Sequence, residues 1–342
     1  MILPKRQITE LRTVLEEAQR PLFFYDDDPD GLCSFLLLYR FKHEGRGVLV
    51  KTTSTLTKNW ARHVDEYKPD VVFILDVPSV DQDFIDAITV PIYWIDHHTP
   101  TERDGIHYYN PRLEKEDAYI PTTRMAYEIV QQDLWIAGIG CVADWHLPDF
   151  KEELIHSYPA LITTDVNDAE TALFDTPLGK LARILSFLLK GKTGEVLKCI
   201  KILTRIKEPD ELLQGTTPQG KFIAQRFEKI SEKYDALLHQ ATQKKPHGEF
   251  LLFKYEEDQW SFTSDLGNEL SHRYPDKVVV VCRERNGEYK CSLRARKKPL
   301  LPAVQKALEG VQGRGGGHEQ ACGAVIVSED FETFFKNLKR EY

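Results

Sequence analysis

Four short, largely apolar runs limit this chain's fold more than anything else in it: "PLFFY" (21–25), "GVLVKT" (47–52), "DVVFILDV" (70–77) and "PIYWID" (91–96). Between them lie segments of helical pattern, "SFLLLYRFKHEG", "TKNWARHVDEY" and "SVDQDFIDAI". Continuously apolar strands alternating with helices imply a parallel sheet covered on both faces. Right-handed crossovers then give a doubly wound α/β domain. Three of the runs end in aspartate, at Asp26 to Asp30, at Asp76 and at Asp96. Parallel strands carry those ends to one rim, outside which open α/β sheets bind their ligands.

The chain has 342 residues, 42% of them hydrophobic, enough for two domains with separate cores. From about 120 to 240 the pattern is mostly helical. "PTTRMAYEIVQQ" opens on a helix start signal, and "LWIAGIGCVADWH" carries Asp144. "LGKLARILSFLLKGK" is an amphipathic helix, and "TPQGKFIAQRFEKISEKYDALLHQATQKK" is one long connecting helix. The tail turns strand-like in "GEFLLFKYEED", "KVVVVCRERNGEYKCSLRAR" and "ACGAVIVSED", with "RNGE" as a hairpin turn. The expected division is 1–215, a connector helix over 216–247, and a smaller α+β domain over 248–342.

A net charge of −8 speaks against a protein that coats duplex DNA. It leaves room for a nuclease, which needs only a local positive track. Six cysteines, at 33, 141, 199, 282, 291 and 322, form no C-x-x-C pair and read as buried thiols of a reducing compartment. No apolar run is long enough to span a bilayer, and the first twenty residues read as an amphipathic helix rather than a secretory signal. A cytoplasmic location without membrane contact is expected.

Asp26, Asp28 and Asp30 alternate at a strand end and its turn, so their carboxylates can converge. Converging carboxylates repel each other and call for a divalent cation; the plainer alternative is an acidic turn and helix cap. Gly31 would permit the sharp turn and Ser34 would open the next helix. His97 and His98 add imidazole, which moves the metal preference toward manganese, iron or zinc, and Asp76 and Asp144 add further carboxylates. In the tail, "GRGGGH" (313–318) is either a loop whose bare N–H groups wrap a phosphate or a plain glycine turn. Arg314 and His318 flank its glycines with charge and a donor. Ser292, Arg294 and Arg296 alternate along one strand, and the two arginines can clamp a phosphate. Tyr25, Trp94, Tyr108 and Trp145 lie near the motifs and either stack on bases or fill the core.

Taken in order, "DDDPDG", "LDVPS", "DHH" and "CVAD" resemble the four motifs of the DHH phosphoesterase superfamily. "GRGGGHEQACGA", with "CSLRAR" upstream, resembles the signature of the associated DHHA1 domain. The resemblance implies two divalent ions, manganese preferred and magnesium or cobalt as alternatives. It implies Asp26, Asp28, Asp30, Asp76, His97 and Asp144 as their ligands, with Asp76 bridging. It places His98 against the substrate phosphate, so that His98 and Asp76 carry the catalysis. Ser292, Arg294, Arg296, Arg314, Gly315, Gly316, Gly317 and His318 would hold the rest of the substrate. Asp26 matches the leading aspartate of RecJ-like members; the slightly earlier histidine frequent in NrnA-like members is absent. The implied activity is hydrolysis of single-stranded DNA, RNA or short oligonucleotides from an end. Alternatives are a phosphatase of nucleoside 3′,5′-bisphosphates, a dinucleotide phosphodiesterase, or a partner of replication or repair proteins. Polarity, sugar preference and oligomeric state stay open.

Overall fold

The structure, a computed structural model, describes residues 2–51, 55–256 and 259–342. The ends of three expected elements, at Met1, Thr52 and Glu257–Asp258, lie outside the described residues. The chain divides into two units between Ala224 and Gln225, inside the long helix Pro218–Thr242.

The strands of the first unit are β1 (Pro21–Asp26), β2 (Arg46–Val50), β3 (Thr55–Leu56), β4 (Val71–Leu75), β5 (Ser79–Val80), β6 (Ile92–Ile95) and β7 (His107–Tyr109). Five of them form one sheet in the order β2-β1-β4-β6-β7, parallel throughout, and β3 pairs separately with β5. Along the strands, Leu22, Phe24, Val72, Ile74, Ile92 and Trp94 fill one buried face. Phe23 stacks on Phe73 at 5.3 Å and Tyr25 on Phe35 at 4.4 Å on the other. Burial on both faces is why these strands read as unbroken apolar runs. From β1 the chain steps one way to β2 and then crosses back to β4. Strand order therefore reverses between β1 and β4, and the crevice at that reversal is where such sheets hold ligands. Tyr25 and Trp94 are fully buried core residues, so neither offers a face to a base.

In the second unit, β8 (Phe250–Glu256), β9 (Val278–Arg285), β10 (Glu288–Arg294), β11 (Gly313–Gly317) and β12 (Ala321–Val327) form a sheet in the order β11-β12-β10-β9-β8. Only β8 and β9 are parallel, and the helix Thr263–Arg273 makes their crossover. The β9–β10 hairpin turns through Asn286 and Gly287, both at positive φ, as a type I′ turn requires. Phe331, Phe334 and Leu338 of the last helix pack on Val280, Cys282, Leu293 and Ile326.

Two expectations need correction here. The glycine run is not a loop but the edge strand β11, paired along its length with β12. Side chains are excluded there by close backbone approach: a Cβ on Gly317 would lie 2.4 Å from the Ala321 carbonyl oxygen, and one on Gly313 2.7 Å from that of Val325. The helix after β1 opens not at Ser34 but at Pro29, with Asp28 as its N-cap. Ser34 is buried within the helix, where its Oγ meets the Thr123 hydroxyl at 3.3 Å. All six cysteines are buried thiols, and among the described residues no helix is long and apolar enough to cross a membrane.

Candidate metal centre

At the end of β1 the chain enters the helix Pro29–Lys42 through a cap that fixes two carboxylates. The Asp28 side chain accepts from the Gly31 N–H at 2.9 Å. Asp30, in the first turn, is 1% exposed. Its carboxylate accepts two main-chain N–H groups, from Thr122 at 2.9 Å and Thr123 at 2.7 Å. Those donors open the helix Thr122–Val130, whose first N–H groups have no partner within the helix. The Thr123 hydroxyl donates to the Asp30 carbonyl at 2.9 Å, so two helix starts are tied together.

Gly31 serves by its small size rather than by turning. A Cβ there would sit 2.7 Å from the Asp26 nitrogen and 2.8 Å from its carbonyl oxygen. Gly31→Ala should destabilise the fold by about 1–3 kcal/mol, the usual cost of overpacking a tight site. Urea unfolding measures it, and a change below about 0.5 kcal/mol would mean this junction is soft.

Asp76 follows β4 at φ 62, a region that non-glycine residues enter sparingly and aspartate more readily than most. Its N–H donates to the Ile95 carbonyl at 3.0 Å, and the Thr122 hydroxyl donates to its Oδ1 at 3.1 Å. His97 follows β6, and its Nε2 lies 3.3 Å from Asp76 Oδ1, 3.7 Å from Asp144 Oδ2 and 3.8 Å from Asp30 Oδ2. Asp144 caps the C-terminus of the helix Leu134–Ala143 and accepts the Tyr119 hydroxyl at 2.9 Å. One ligand atom each from Asp76, His97 and His98 lies within 4.8 Å of the others, and the same holds for Asp30, His97 and Asp144. Two three-residue groups thus share His97.

The residues fit a divalent cation. Burial, and then the charges of Asp30 and Asp28, push Asp76 and Asp144 well above the ordinary carboxylate range. Asp28 is raised by burial and by Asp30. Asp26 is pushed up to about 7 by burial and the Asp28 charge. Burial lowers His97, favouring the neutral ring that can ligate. Among the described residues the ion pairs of Asp30, Asp76 and Asp144 all run to His97. Closely set carboxylates facing His97 and His98, with no lysine or arginine ion pair to Asp30, Asp76 or Asp144 among the described residues, make a mixed oxygen and nitrogen donor set that a divalent ion would neutralise.

Of the six expected ligands, Asp30, Asp76, His97 and Asp144 fall in these groups, while Asp26 and Asp28 adjoin them. His98 is set by Asp96, which is fully buried and meets His98 Nδ1 at 2.7 Å. Burial opposes a charge on His98, but the Asp96 hydrogen bond and the charges of Asp96, Asp28 and Asp26 together outweigh it and raise the ring. Asp96 also accepts from the Tyr108 hydroxyl at 3.1 Å and from Asn110 Nδ2 at 3.4 Å. These supporting residues (Asp96, Tyr108, Asn110, Tyr119, Thr122 and Thr123) were not singled out as such by sequence reasoning. Asp96 was visible only as a strand-end aspartate, Tyr108 only as an aromatic near the motifs, and Thr122 and Thr123 only through the helix start at "PTTR".

In the second unit, Ser292 and Arg294 share the face of β10 covered by the helix Thr263–Arg273. A Cβ on Gly267 would meet Ser292 Oγ at 2.8 Å. That Oγ is buried without a hydrogen-bond partner among the described residues. Arg294 Nε donates to Asn268 Oδ1 at 2.7 Å, and burial lowers its pKa. Arg296, just past the strand, donates to Ser271 Oγ at 3.1 Å. Ser292, Gly323 and Gly316 stand directly opposite one another across β10, β12 and β11. A Cβ on Gly316 would meet nothing within 4 Å, so this row ends in bare, open backbone. Arg314, Gly315, Gly317 and His318 are exposed on and beside β11.

A family model for the DHH family, N-terminal domain, matches residues 22–141, and one for the DHHA1 domain matches residues 257–342. No match was found among curated proteins. Among solved structures, RecJ with manganese from Thermus thermophilus superposes with a TM-score of 0.66 at 16% identity over 99% of this chain. The match covers 55% of that RecJ, so the chain spans about half its length. A second exonuclease RecJ bound to manganese gives 0.58 at 17% identity, covering 99% of this chain and 95% of its own. A pGpG-specific phosphodiesterase from Vibrio cholerae gives 0.53 at 15% identity, covering 94% of this chain and 99% of its own. At these identities the structures establish the fold, and the two domain models, matched in order over more than half of the sequence, establish the lineage: the chain belongs to the DHH/DHHA1 phosphoesterase superfamily.

Proposed function

We propose that this chain is a metal-dependent phosphodiesterase that hydrolyses single-stranded nucleic acid or short oligonucleotides from an end. The observation that carries the reading is the pair of ligand groups sharing His97 at the crevice between β1 and β4. Asp30, Asp76, His97 and Asp144 would hold two divalent ions, with Asp26 and Asp28 as adjoining carboxylates and manganese the preferred metal. Bound there, such ions lower the pKa of a water nucleophile and stabilise charge on phosphoryl oxygens.

The chain's own groups do the positioning. Main-chain donors of Thr122 and Thr123 hold both Asp30 oxygens, and the Thr122 hydroxyl orients Asp76. With His98 Nδ1 turned to Asp96, its Nε2 is the ring atom left to donate to a phosphoryl oxygen. Arg294 and Arg296 bring charge to a phosphate, and the open backbone at Gly316 lets one approach closely. Arg314, Gly315, Gly317 and His318 would contribute along the same edge.

A second reading, hydrolysis of dinucleotides alone, draws on the length match to the pGpG-specific phosphodiesterase, 99% of which is covered. A time course in manganese separates the two. The substrates are an end-labelled dinucleotide, longer single-stranded RNA and DNA, and adenosine 3′,5′-bisphosphate. Stepwise shortening of the long strands is expected, with loss of that activity in His98→Ala. Cleavage confined to the dinucleotide would favour the second reading, and cleavage of the bisphosphate alone would refute both.

A further inference from the structure

Among the described residues, four large hydrophobic side chains are exposed; of these, Tyr119 is hydrogen-bonded to Asp144 and Trp145 follows Asp144 in the chain. Tyr119 is 50% exposed, yet its ring is held edge-on to His97 at 5.5 Å and its hydroxyl is 2.9 Å from both Asp144 Oδ2 and the Asp144 carbonyl oxygen. Trp145 is 39% exposed and meets Phe174 edge-on at 5.8 Å.

The backbone at the tryptophan is left-handed, as it is at His43, Lys68 and Gln131, which also end helices. The helix Leu134–Ala143 ends in a Schellman motif: the Trp145 N–H donates to Val142 at 3.1 Å and the His146 N–H to Cys141 at 2.9 Å. The residue at the turn is left-handed, and glycine is its usual occupant. Here it is Trp145, at φ 56. Every hydrogen bond of that cap is main-chain and would form equally well with glycine. A bulky residue in this conformation is strained, and such strain persists where surrounding structure or function demands the side chain. Packing on Phe174 covers part of the indole and leaves the rest open to solvent. Its place next to Asp144 does suggest a demand.

Resting on the phosphodiesterase reading above, we infer that Trp145, with Tyr119, is a stacking platform for a nucleobase flanking the scissile phosphate, so that the site selects substrates carrying a base. Stacking uses the π-face that every base has, and therefore confers selection for a base without selection among bases.

The test measures KM and kcat in manganese for a dinucleotide and for its two counterparts in which one base is replaced by hydrogen. Trp145→Ala should raise KM for the dinucleotide about tenfold to a hundredfold, and by less than about twofold for the counterpart lacking the stacked base. Trp145→Phe should restore most of the loss. Trp145→Gly should raise KM as alanine does, because glycine keeps this turn but offers no ring. Equal KM changes on all three substrates would assign Trp145 a structural or partner-binding role and overturn the platform. A parent that hydrolyses none of them overturns the phosphodiesterase reading instead.

Discussion

Replacing Asp76 by asparagine is expected to cut hydrolysis about a thousandfold while raising the unfolding midpoint of the metal-free protein. The two effects share one cause. Asp76 is buried among Asp28, Asp30, Asp96 and Asp144, and its charge is disfavoured by burial and by each of theirs. Asparagine removes that charge and keeps the oxygen that accepts from the Thr122 hydroxyl. It also tolerates the left-handed backbone at φ 62, which alanine does not. The substitution therefore removes metal affinity with little structural damage. Relief equivalent to one pKa unit is worth about 1.4 kcal/mol, or roughly 3–6 °C for a unit of this size. Initial rates on an end-labelled oligonucleotide and thermal unfolding in chelator measure the pair. A variant that keeps a tenth of the parent's rate, or that melts earlier than the parent without metal, would place Asp76 outside the reaction.

The second large effect concerns the ion itself. Chelation should reduce hydrolysis to background, and manganese at a hundred times its dissociation constant should stabilise the first unit by about 2.7 kcal/mol. That corresponds to a rise of roughly 5–10 °C in its unfolding transition. The gain has two parts: ligation, and relief of repulsion among carboxylates that the fold holds close together. His97→Ala should abolish most of the rise, because His97 belongs to both ligand groups. Calorimetry with manganese, magnesium and cobalt in turn is the measurement. An unfolding transition indifferent to all three would show that the cluster holds no ion.

Much of this was legible in the sequence for physical reasons. Strands buried on two faces leave unbroken apolar runs, so β1, β4 and β6 were visible, and aspartates at their ends were conspicuous because charge seldom follows such runs. The edge strand β7 left no such trace: of its three residues only Tyr109 is buried. Glycine disfavours strands, so β11 read as a loop, and only its pairing with β12 makes it a strand. The supporting shell was invisible for another reason. Thr122 and Thr123 meet Asp30 from more than ninety positions away, and Tyr119 and Asn110 are common residue types whose value lies in what folding sets beside them. The long helix was clear from its periodicity, but the division between units falls inside it, where no change of composition marks it.

The hold on Asp30 has a consequence for how this site records variation. Both donors are main-chain amides, present whatever side chain occupies 122 or 123, provided it is not proline. A library scored for activity would thus report these positions as more permissive than the carboxylate they steady. Tolerance there would measure the independence of the backbone from side-chain identity, and would say nothing about how strongly the reaction depends on Asp30 staying in place.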